Sequence, residues 1–370
     1  MTLILEHIDV SAHPEFFGHK IVLKAVDPAS GLRAFIAVHD TTIGPSLGGC
    51  RFWTRYASED EAITDVLRLS RGMTYKNSLA RLKLGGGKAV IMGRPDALRP
   101  TREELLAFGR AVDSLKGQYI TAEDVGVCVD DMKVIREVTE FVTGLPTSDP
   151  SLTGGDPSPF TAYGVFLGIK AAVKHKLQRD DLNGLRVAVS GLGNVGMDLC
   201  RRLHEVGAKL VVTDIRAQKV EEAVQSFGAV AVSPEEFMAA NVDVLAPCAL
   251  GGAVNDATIE AIQATIIAGA ANNQLQRPEH GEILFKKGIL YAPDYVINAG
   301  GVISVAMSGE PLEVTLERIE ELGETLGAIF RQSERLSLPT SVVADKIAEK
   351  ILEDAQNTGF TEARKVARQA

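Results

Sequence analysis

The 370-residue chain is short of cysteine, of long hydrophobic runs and of positive charge, and each shortage removes a class of function. Its four cysteines (Cys50, Cys128, Cys200 and Cys248) stand far apart with no CxxC pair. That spacing excludes a disulfide framework or a thiolate zinc site and fits the reduced thiols of a cytoplasmic protein. Lys and Arg number 39 against 48 Asp and Glu, a formal net charge of −9. A nucleic-acid partner would call for a basic face, so none is expected, although a local basic pocket remains compatible with the total. No segment reaches the length needed to span a bilayer. The first residues, MTLILEHIDVSAHPEFF, carry early acids and lack the apolar core of a signal peptide. What is left, 45% hydrophobic and 24% charged residues in a chain long enough for two cores, is an ordinary two-domain globular composition.

The most informative stretch is Gly72–Gly93, GMTYKNSLARLKLGGGKAVIMG. It sets Lys76 and Lys88 twelve residues apart, with Gly85, Gly86 and Gly87 directly before the second lysine. Three glycines predict a turn in conformations closed to other residues, open to close approach by a ligand. Lys88 opens the apolar run Ala89–Met92, which has the length of a buried strand. Desolvation there lowers an ammonium pKa, and a lysine so placed exchanges protons near neutrality.

Along the chain, Lys20–Val26 and Leu32–His39 read as paired strands around the turn Asp27–Gly31. Asp40–Arg51, DTTIGPSLGGCR, reads as a glycine- and proline-broken loop. Ser58–Glu61 has the form of a capping box, and apolar positions continue at helical spacing to Met73, so the helix delivers Lys76 near its C-terminal end. A second capping box, Thr101 and Glu104, opens a helix to Leu115, and a strand over Gln118–Thr121 leads into Ala122-Glu123-Asp124. Thr147–Pro159 is rich in Pro, Gly and Ser and reads as the hinge between domains.

Beyond the hinge and the helix Phe160–His175, Leu185–Ser190 reads as a strand followed at once by Gly191-Leu192-Gly193-Asn194-Val195-Gly196 and a helix. The next strand, Lys209–Thr213, ends at Asp214, 18 residues after Gly196. Between strand and helix, with an acid closing the second strand, GxGxxG is a specific dinucleotide signal. Gly191 makes the turn, Gly193 admits the pyrophosphate to the helix N-terminus, Gly196 permits close packing, and Asp214 meets the ribose hydroxyls. Later strands over Asp243–Leu245, Thr265–Ala268 and Leu290–Ile297 end in small and polar residues, among them Cys248, Ala249, Asn272 and Asn298. In a parallel sheet those ends converge on the crevice that takes a nicotinamide. The helices Leu312–Ser333 and Ser341–Gln356 follow.

These residues carry a resemblance to a known family. The strings GPSLGG, MTYK, LGGGKAVIMG, TAEDVG, DPSPFTAYGVFLGIKAA, GLGNVG, APCALGG, AGAANNQL and YAPDYVINAGGV run from near position 44 to beyond 300. Together they resemble the Glu/Leu/Phe/Val amino-acid dehydrogenases, nearest the leucine branch. The resemblance implies an α/β chain of two domains separated by a cleft. Residues 1–150 would form a substrate-binding, catalytic and oligomerisation domain, on which a C-terminal helix within 340–370 packs back, and residues 151–339 a Rossmann NAD-binding domain. It implies NAD-dependent, reversible oxidative deamination of an L-amino acid to its 2-oxo acid and ammonia in a cytoplasmic homo-oligomer with no membrane partner. Lys76 resembles the lysine that holds the substrate carboxylate, Lys88 the one that activates water and stabilises the carbinolamine, and Asp124 the acid/base on the substrate nitrogen. Asn272 (with Asn273 as its alternative) and Asn298 resemble residues that place nicotinamide and substrate; Cys248 and Ala249 fall on the cofactor side.

By the same resemblance the side-chain pocket is lined by Leu47, Gly48, Ala122, Val302 and Val305. Glutamate members carry polar or charged residues at the counterparts of Leu47 and Val305, so aliphatic residues here imply leucine, valine or isoleucine, with phenylalanine or tryptophan as the alternative. Phe52-Trp53, Val127-Cys128 and Gly154-Gly155-Asp156 depart from the leucine branch near the cleft or hinge. Two rivals are a 2-hydroxy-acid dehydrogenase and a non-enzymatic NAD-binding regulator. The first needs a catalytic histidine, and His39, the nearest candidate, reads as a satisfied core residue. The second is hard to reconcile with intact Lys76, Lys88 and Asp124.

Overall fold

A computed structural model describes residues 3–249 and 251–358. They form two compact units. The first runs through Asp156 and also takes in Ser304–Leu312 and the chain from Ala348; the second comprises Pro157–Ile303 and Glu313–Ile347. The change of unit therefore lies inside the Pro/Gly-rich stretch, six residues past position 150. The chain from 340 is shared, 340–347 with the second unit and the described part of 348–370 with the first, and residues beyond 358 lie outside the described ones.

The first unit holds strands β1 (Ile4–His7), β2 (Ile21–Asp27), β3 (Leu32–Asp40) and β4 (Ser46–Trp53), then helix α1 (Glu59–Leu79), β5 (Gly85–Met92), α2 (Arg102–Ser114), β6 (Tyr119–Glu123) and α3 (Val129–Arg136). One sheet in the order β1-β2-β3-β5-β4-β6 contains all six strands. Alternation along β2 and β3 divides the core. Leu23, Ala25, Ala34 and Ile36 pack with α2 and α3, while Val22, Phe35 and Ala37 pack with Ala62, Val66 and Leu67 of α1. Ser58 caps α1 by accepting from the Glu61 amide, and the Glu61 carboxylate reaches back to the Ala57 amide, one residue earlier than in a full capping box.

Two expectations are corrected here. Asp40–Arg51 is not a loop throughout: from Ser46 it is β4, parallel to both β5 and β6 and buried between them. Gly85–Gly87 make no turn but lie inside β5, and none has a positive φ. Their lack of a side chain serves packing. A Cβ on Gly85 would lie 1.9 Å from the Asp40 carbonyl oxygen, one on Gly86 2.1 Å from the Thr74 nitrogen, and one on Gly87 2.7 Å from the Tyr119 ring. α1 thus rests directly on strand backbone.

The second unit begins with α4 (Ser158–Leu177) and continues β7 (Arg186–Ser190), α5 (Asn194–Glu205), β8 (Lys209–Thr213), α6 (Ala217–Phe227), β9 (Val230–Ala231), α7 (Pro234–Phe237), β10 (Val244–Pro247), β11 (Ile266–Ile267), α8 (Pro278–Lys286), β12 (Leu290–Tyr291) and α9 (Asp294–Ile297). The chain then forms α10 (Gly300–Ala306), α11 (Leu312–Leu336) and α12 (Thr340–Thr358). The sheet is parallel throughout in the order β12-β11-β10-β7-β8-β9, so β7 sits at the point where the winding reverses. This is the Rossmann arrangement. The strand expected over Leu290–Ile297 stops at Tyr291 because Pro293 cannot continue the ladder and instead opens α9. Among the described residues no helix is long and apolar enough to cross a membrane.

His39 is buried, with Nδ1 2.8 Å from the Thr74 hydroxyl and Nε2 3.1 Å from the Phe17 carbonyl oxygen. It is a satisfied core residue. Burial first, and neighbouring His19 second, push it down from 6.5 to about 4. Its folded value lies below its unfolded one, so the unfolded chain takes up a proton that the folded chain refuses. Its contribution is complete above pH 6.5 and declines as pH falls toward 4. The loss reaches about 3 kcal/mol. A His39→Gln variant should show a flatter dependence of the urea midpoint on pH across this window; a curve parallel to wild type would contradict the assignment.

Candidate active site

Lys88 lies on β5 and Asp124 one residue past β6, with β4 between them. Lys88 Nζ is nevertheless 2.7 Å from Asp124 Oδ2. The crossing is open because β4 has no side chain there. A Cβ on Gly49 would lie 2.5 Å from the Glu123 carbonyl oxygen and 2.8 Å from Asp124 Cβ, and one on Gly48 1.7 Å from the Gly87 oxygen. Lys88 is 5% exposed, and Asp124 supplies the opposite charge that a buried ammonium needs. Burial by itself would raise the Asp124 carboxyl, but Lys88 and Arg51 outweigh it and hold the group below the usual carboxylate value.

Arg51 is the residue that sequence reasoning missed. Its Nε is 3.3 Å from Asp124 Oδ2 and its Nη1 2.9 Å from Asp65 Oδ2, and the Tyr56 hydroxyl donates to the same Asp65 oxygen at 2.5 Å. The signal was present as an arginine two residues past Gly49, hidden by reading the segment as loop. Lys76 occupies the last turn of α1, half-buried. The next residue pins that turn to the sheet, Asn77 Nδ2 donating to the Gly85 oxygen at 2.6 Å and the Leu47 oxygen at 3.4 Å.

Leu47 and Gly48 on β4 stand opposite Ile120 and Thr121 of β6, and Ala122 stands opposite Gly49, so these three pocket candidates share the same neighbouring strands. Leu47 and Ala122 are buried. Val302 and Val305 are one turn apart on α10 but fall in different units. Within the first unit, the Val305 carbonyl accepts from the Thr143 hydroxyl at 2.6 Å.

In the second unit Gly191 has φ 85°, and a Cβ on it would lie 2.7 Å from Ala249 Cα; one on Gly196 would lie 1.9 Å from the Gly191 oxygen. Gly193, the N-cap of α5, has nothing within 4 Å of its Cβ position, which leaves the helix N-terminus at Asn194 and Val195 open to an incoming group. Asp214 accepts from the Leu192 amide at 2.6 Å and pairs with Arg216 at 3.0 Å. Those Arg216 bonds hold it at about 2 against the effect of burial. The Cys248 amide donates to the Ser190 oxygen at 2.7 Å, and burial pushes the Cys248 thiol up to about 12, so it stays protonated. Asn298 donates through Nδ2 to Asn272 Oδ1 at 2.7 Å and to the Ala270 oxygen at 3.0 Å, while its own Oδ1 is buried with no hydrogen-bond partner. An open helix N-terminus, an acid at the end of β8 and an unsatisfied buried acceptor at the other strand ends fit a dinucleotide with a carboxamide-bearing ring. Asn272 is the asparagine linked to Asn298; Asn273 has φ 52° and belongs to the turn.

The family model for the Glu/Leu/Phe/Val dehydrogenase dimerisation domain matches residues 19–141, and that for glutamate/leucine/phenylalanine/valine dehydrogenase matches 156–215 and 210–321. A leucine dehydrogenase of Geobacillus stearothermophilus is 50% identical over 350 residues, covering 94% of either chain. A valine dehydrogenase of Streptomyces virginiae is 44% identical over 349 residues, 93% of this chain and 96% of that one. The crystal structure of L-tryptophan dehydrogenase from Nostoc punctiforme superimposes with a TM-score of 0.81 at 45% identity, covering 92% of this chain and 98% of that one.

Asp124 is the counter-charge of the buried Lys88. Asp124→Asn leaves a buried ammonium unpaired and should reduce unfolding free energy by about 3–5 kcal/mol. Lys88→Met with Asp124→Asn should recover much of that loss, as urea denaturation would measure. Equal losses in the single and double variants would mean that the pair contributes nothing as a pair.

Proposed function

The chain belongs to the glutamate/leucine/phenylalanine/valine dehydrogenase family, and from that premise we propose that it deaminates leucine, valine or isoleucine reversibly to the 2-oxo acid and ammonia, with NAD as cofactor. It is an amino-acid dehydrogenase. The observation that carries the residue assignment is the Lys88–Asp124 contact at 2.7 Å, a buried cation on β5 meeting a carboxylate just past β6 across the glycines of β4.

NAD, when bound, takes up the hydride from the substrate Cα. Gly191, Gly193, Gly196 and the amides of Asn194 and Val195 would hold its pyrophosphate, Asp214 a ribose, and Cys248, Ala249, Asn272 and Asn298 the nicotinamide end, with the free Asn298 Oδ1 available to a carboxamide N–H. In our reading Lys76 grips the substrate carboxylate by a charge-assisted hydrogen bond. Lys88 orients the attacking water and stabilises negative charge on the carbinolamine oxygen. Asp124, kept ionised by two cations, takes the proton from the substrate nitrogen and returns it in the reverse direction. The acid/base work of a histidine is not needed, and His39 is already committed to Thr74 and Phe17.

Aliphatic Leu47 and Val305 support an apolar substrate, because a distal carboxylate buried beside them would lose several kcal/mol. The leucine and valine dehydrogenase relatives support the branched-chain reading. The tryptophan dehydrogenase relative favours a second reading with an aromatic substrate, since an apolar pocket separates such side chains by only about 1–3 kcal/mol per methylene. The matched dimerisation-domain model supports a homo-oligomer, and four free cysteines support the cytoplasm.

The test is NADH consumption with the 2-oxo acids of leucine, valine, phenylalanine, tryptophan and glutamate. Consumption should require ammonium, follow the branched-chain compounds and be negligible with 2-oxoglutarate. Ammonium-independent turnover would overturn the reaction, a glutamate preference the pocket, and an aromatic winner the branched-chain choice alone. Asp214 should also favour NAD over NADP, because its carboxylate accepts from ribose hydroxyls and repels a 2′-phosphate, whereas Arg216 works the other way. Equal catalytic efficiencies with the two cofactors would refute this.

A further inference from the structure

Arg51 has no part in the reaction as described, yet it is the second cation on Asp124. Its side chain is 23% exposed, Asp124's 21% and Asp65's 28%, so all three charges are mostly shielded from water. The guanidinium divides its hydrogen bonds, Nε to Asp124 and Nη1 to Asp65. Asp65 Oδ2 is shared in turn between Arg51 and the Tyr56 hydroxyl. Charges therefore alternate along one line, Lys88, Asp124, Arg51, Asp65, and the line ends on a neutral phenol.

We propose that Arg51 is a positioning residue for Asp124, its guanidinium shared with Asp65 so that the Asp65–Tyr56 pair sets where the Asp124 carboxylate points and how much positive charge it meets. The inference rests on the acid/base role given to Asp124 above. Lys88 alone would hold the carboxylate through a single contact at Oδ2, about which the group could turn. Arg51, on β4, meets the same Oδ2 and adds a second fixed direction. The same sharing limits the charge: Arg51 given wholly to Asp124 would weaken the carboxylate as a base, and Arg51 given wholly to Asp65 would leave Lys88 alone to oppose the desolvation that raises it.

The other groups around Asp124 do not offer the same control. Lys88 on β5 is committed to the reacting oxygen. Glu123 on β6 is itself raised by burial, Asp156 and Asp124. Cys50 on β4 and Tyr119 on β6 are raised well above their usual values by burial and remain uncharged. On α1, Asp65 faces Asp124 only through Arg51.

Opposite shifts test this. In full-length protein the Asp124 carboxyl is followed by 13C NMR titration, assigned by its loss in Asp124→Asn, alongside the pH dependence of kcat/KM for the 2-oxo acid of leucine with ammonium and NADH. Arg51→Gln should move the carboxyl titration and the acid limb of the rate profile to higher pH by about one pH unit, with Arg51→Lys in between. Asp65→Asn, which gives Arg51 to Asp124, should move both to lower pH. Tyr56→Phe, which keeps every charge and returns Asp65 Oδ2 to Arg51, should move both slightly upward; where Asp65→Asn fails to fold, no shift or a downward shift in Tyr56→Phe overturns the proposal. Shifts of the same sign in Arg51→Gln and in Asp65→Asn, or no shift in Arg51→Gln, would overturn the proposal. Carboxyl shifts of the expected signs in a protein that turns over no 2-oxo acid would keep the Arg51 assignment and overturn the proposed reaction instead.

Discussion

Lys88 meets Asp124 only because the strand between them carries no side chains where the two would cross. Gly48 and Gly49 bring β4 so near β5 and the end of β6 that any Cβ would meet backbone at 1.7 to 2.5 Å. The same economy lies beneath: Gly85, Gly86 and Gly87 let α1 and the neighbouring strands settle on β5. The central sheet of the first unit is thus drawn together by absent side chains, and the one long polar side chain in β5, Lys88, is placed by that closeness. A lysine this deeply buried would be intolerable in isolation. It is tolerated because its partner is equally fixed.

Electrostatics extend the constraint outward. Lys88, Asp124, Arg51 and Asp65 form an alternating row in which each inner charge touches two of opposite sign. Removing an outer member leaves its neighbour with one opposite charge instead of two, whereas removing an inner one leaves like charges facing each other. Such a row is a better device for tuning one carboxylate than a single pair, since its strength can be set at the far end without touching the carboxylate itself.

The second unit uses glycine for a different purpose. Gly191 takes a positive φ and Gly196 accepts the close approach of its carbonyl, but the Gly193 Cβ position is open, so there the missing side chain makes no room for another part of the protein. Asn298 complements this with a buried oxygen that nothing in the chain satisfies. A polar atom left so, at 6% residue exposure, is a cost that a bound donor would remove.

The amino-acid order alone determined five of the second unit's six parallel strands, the caps of α1 and α2, and the candidates Lys76, Lys88, Asp124 and Asp214. Those signals are local: a cap is read within four residues, and GxGxxG followed by Asp214 within a single βαβ unit. Only the tertiary structure decided that Ser46–Trp53 is a central strand and that the triple glycine lies within β5, because glycine in a turn and glycine under a crossing backbone are the same letter. It also shortened β12 at Pro293, where apolar composition outweighed proline in the reading. Arg51 stayed invisible for the same reason. Its partners are 73 and 14 residues away, and no spacing along the chain records that Asp124 and Asp65 arrive on either side of one guanidinium.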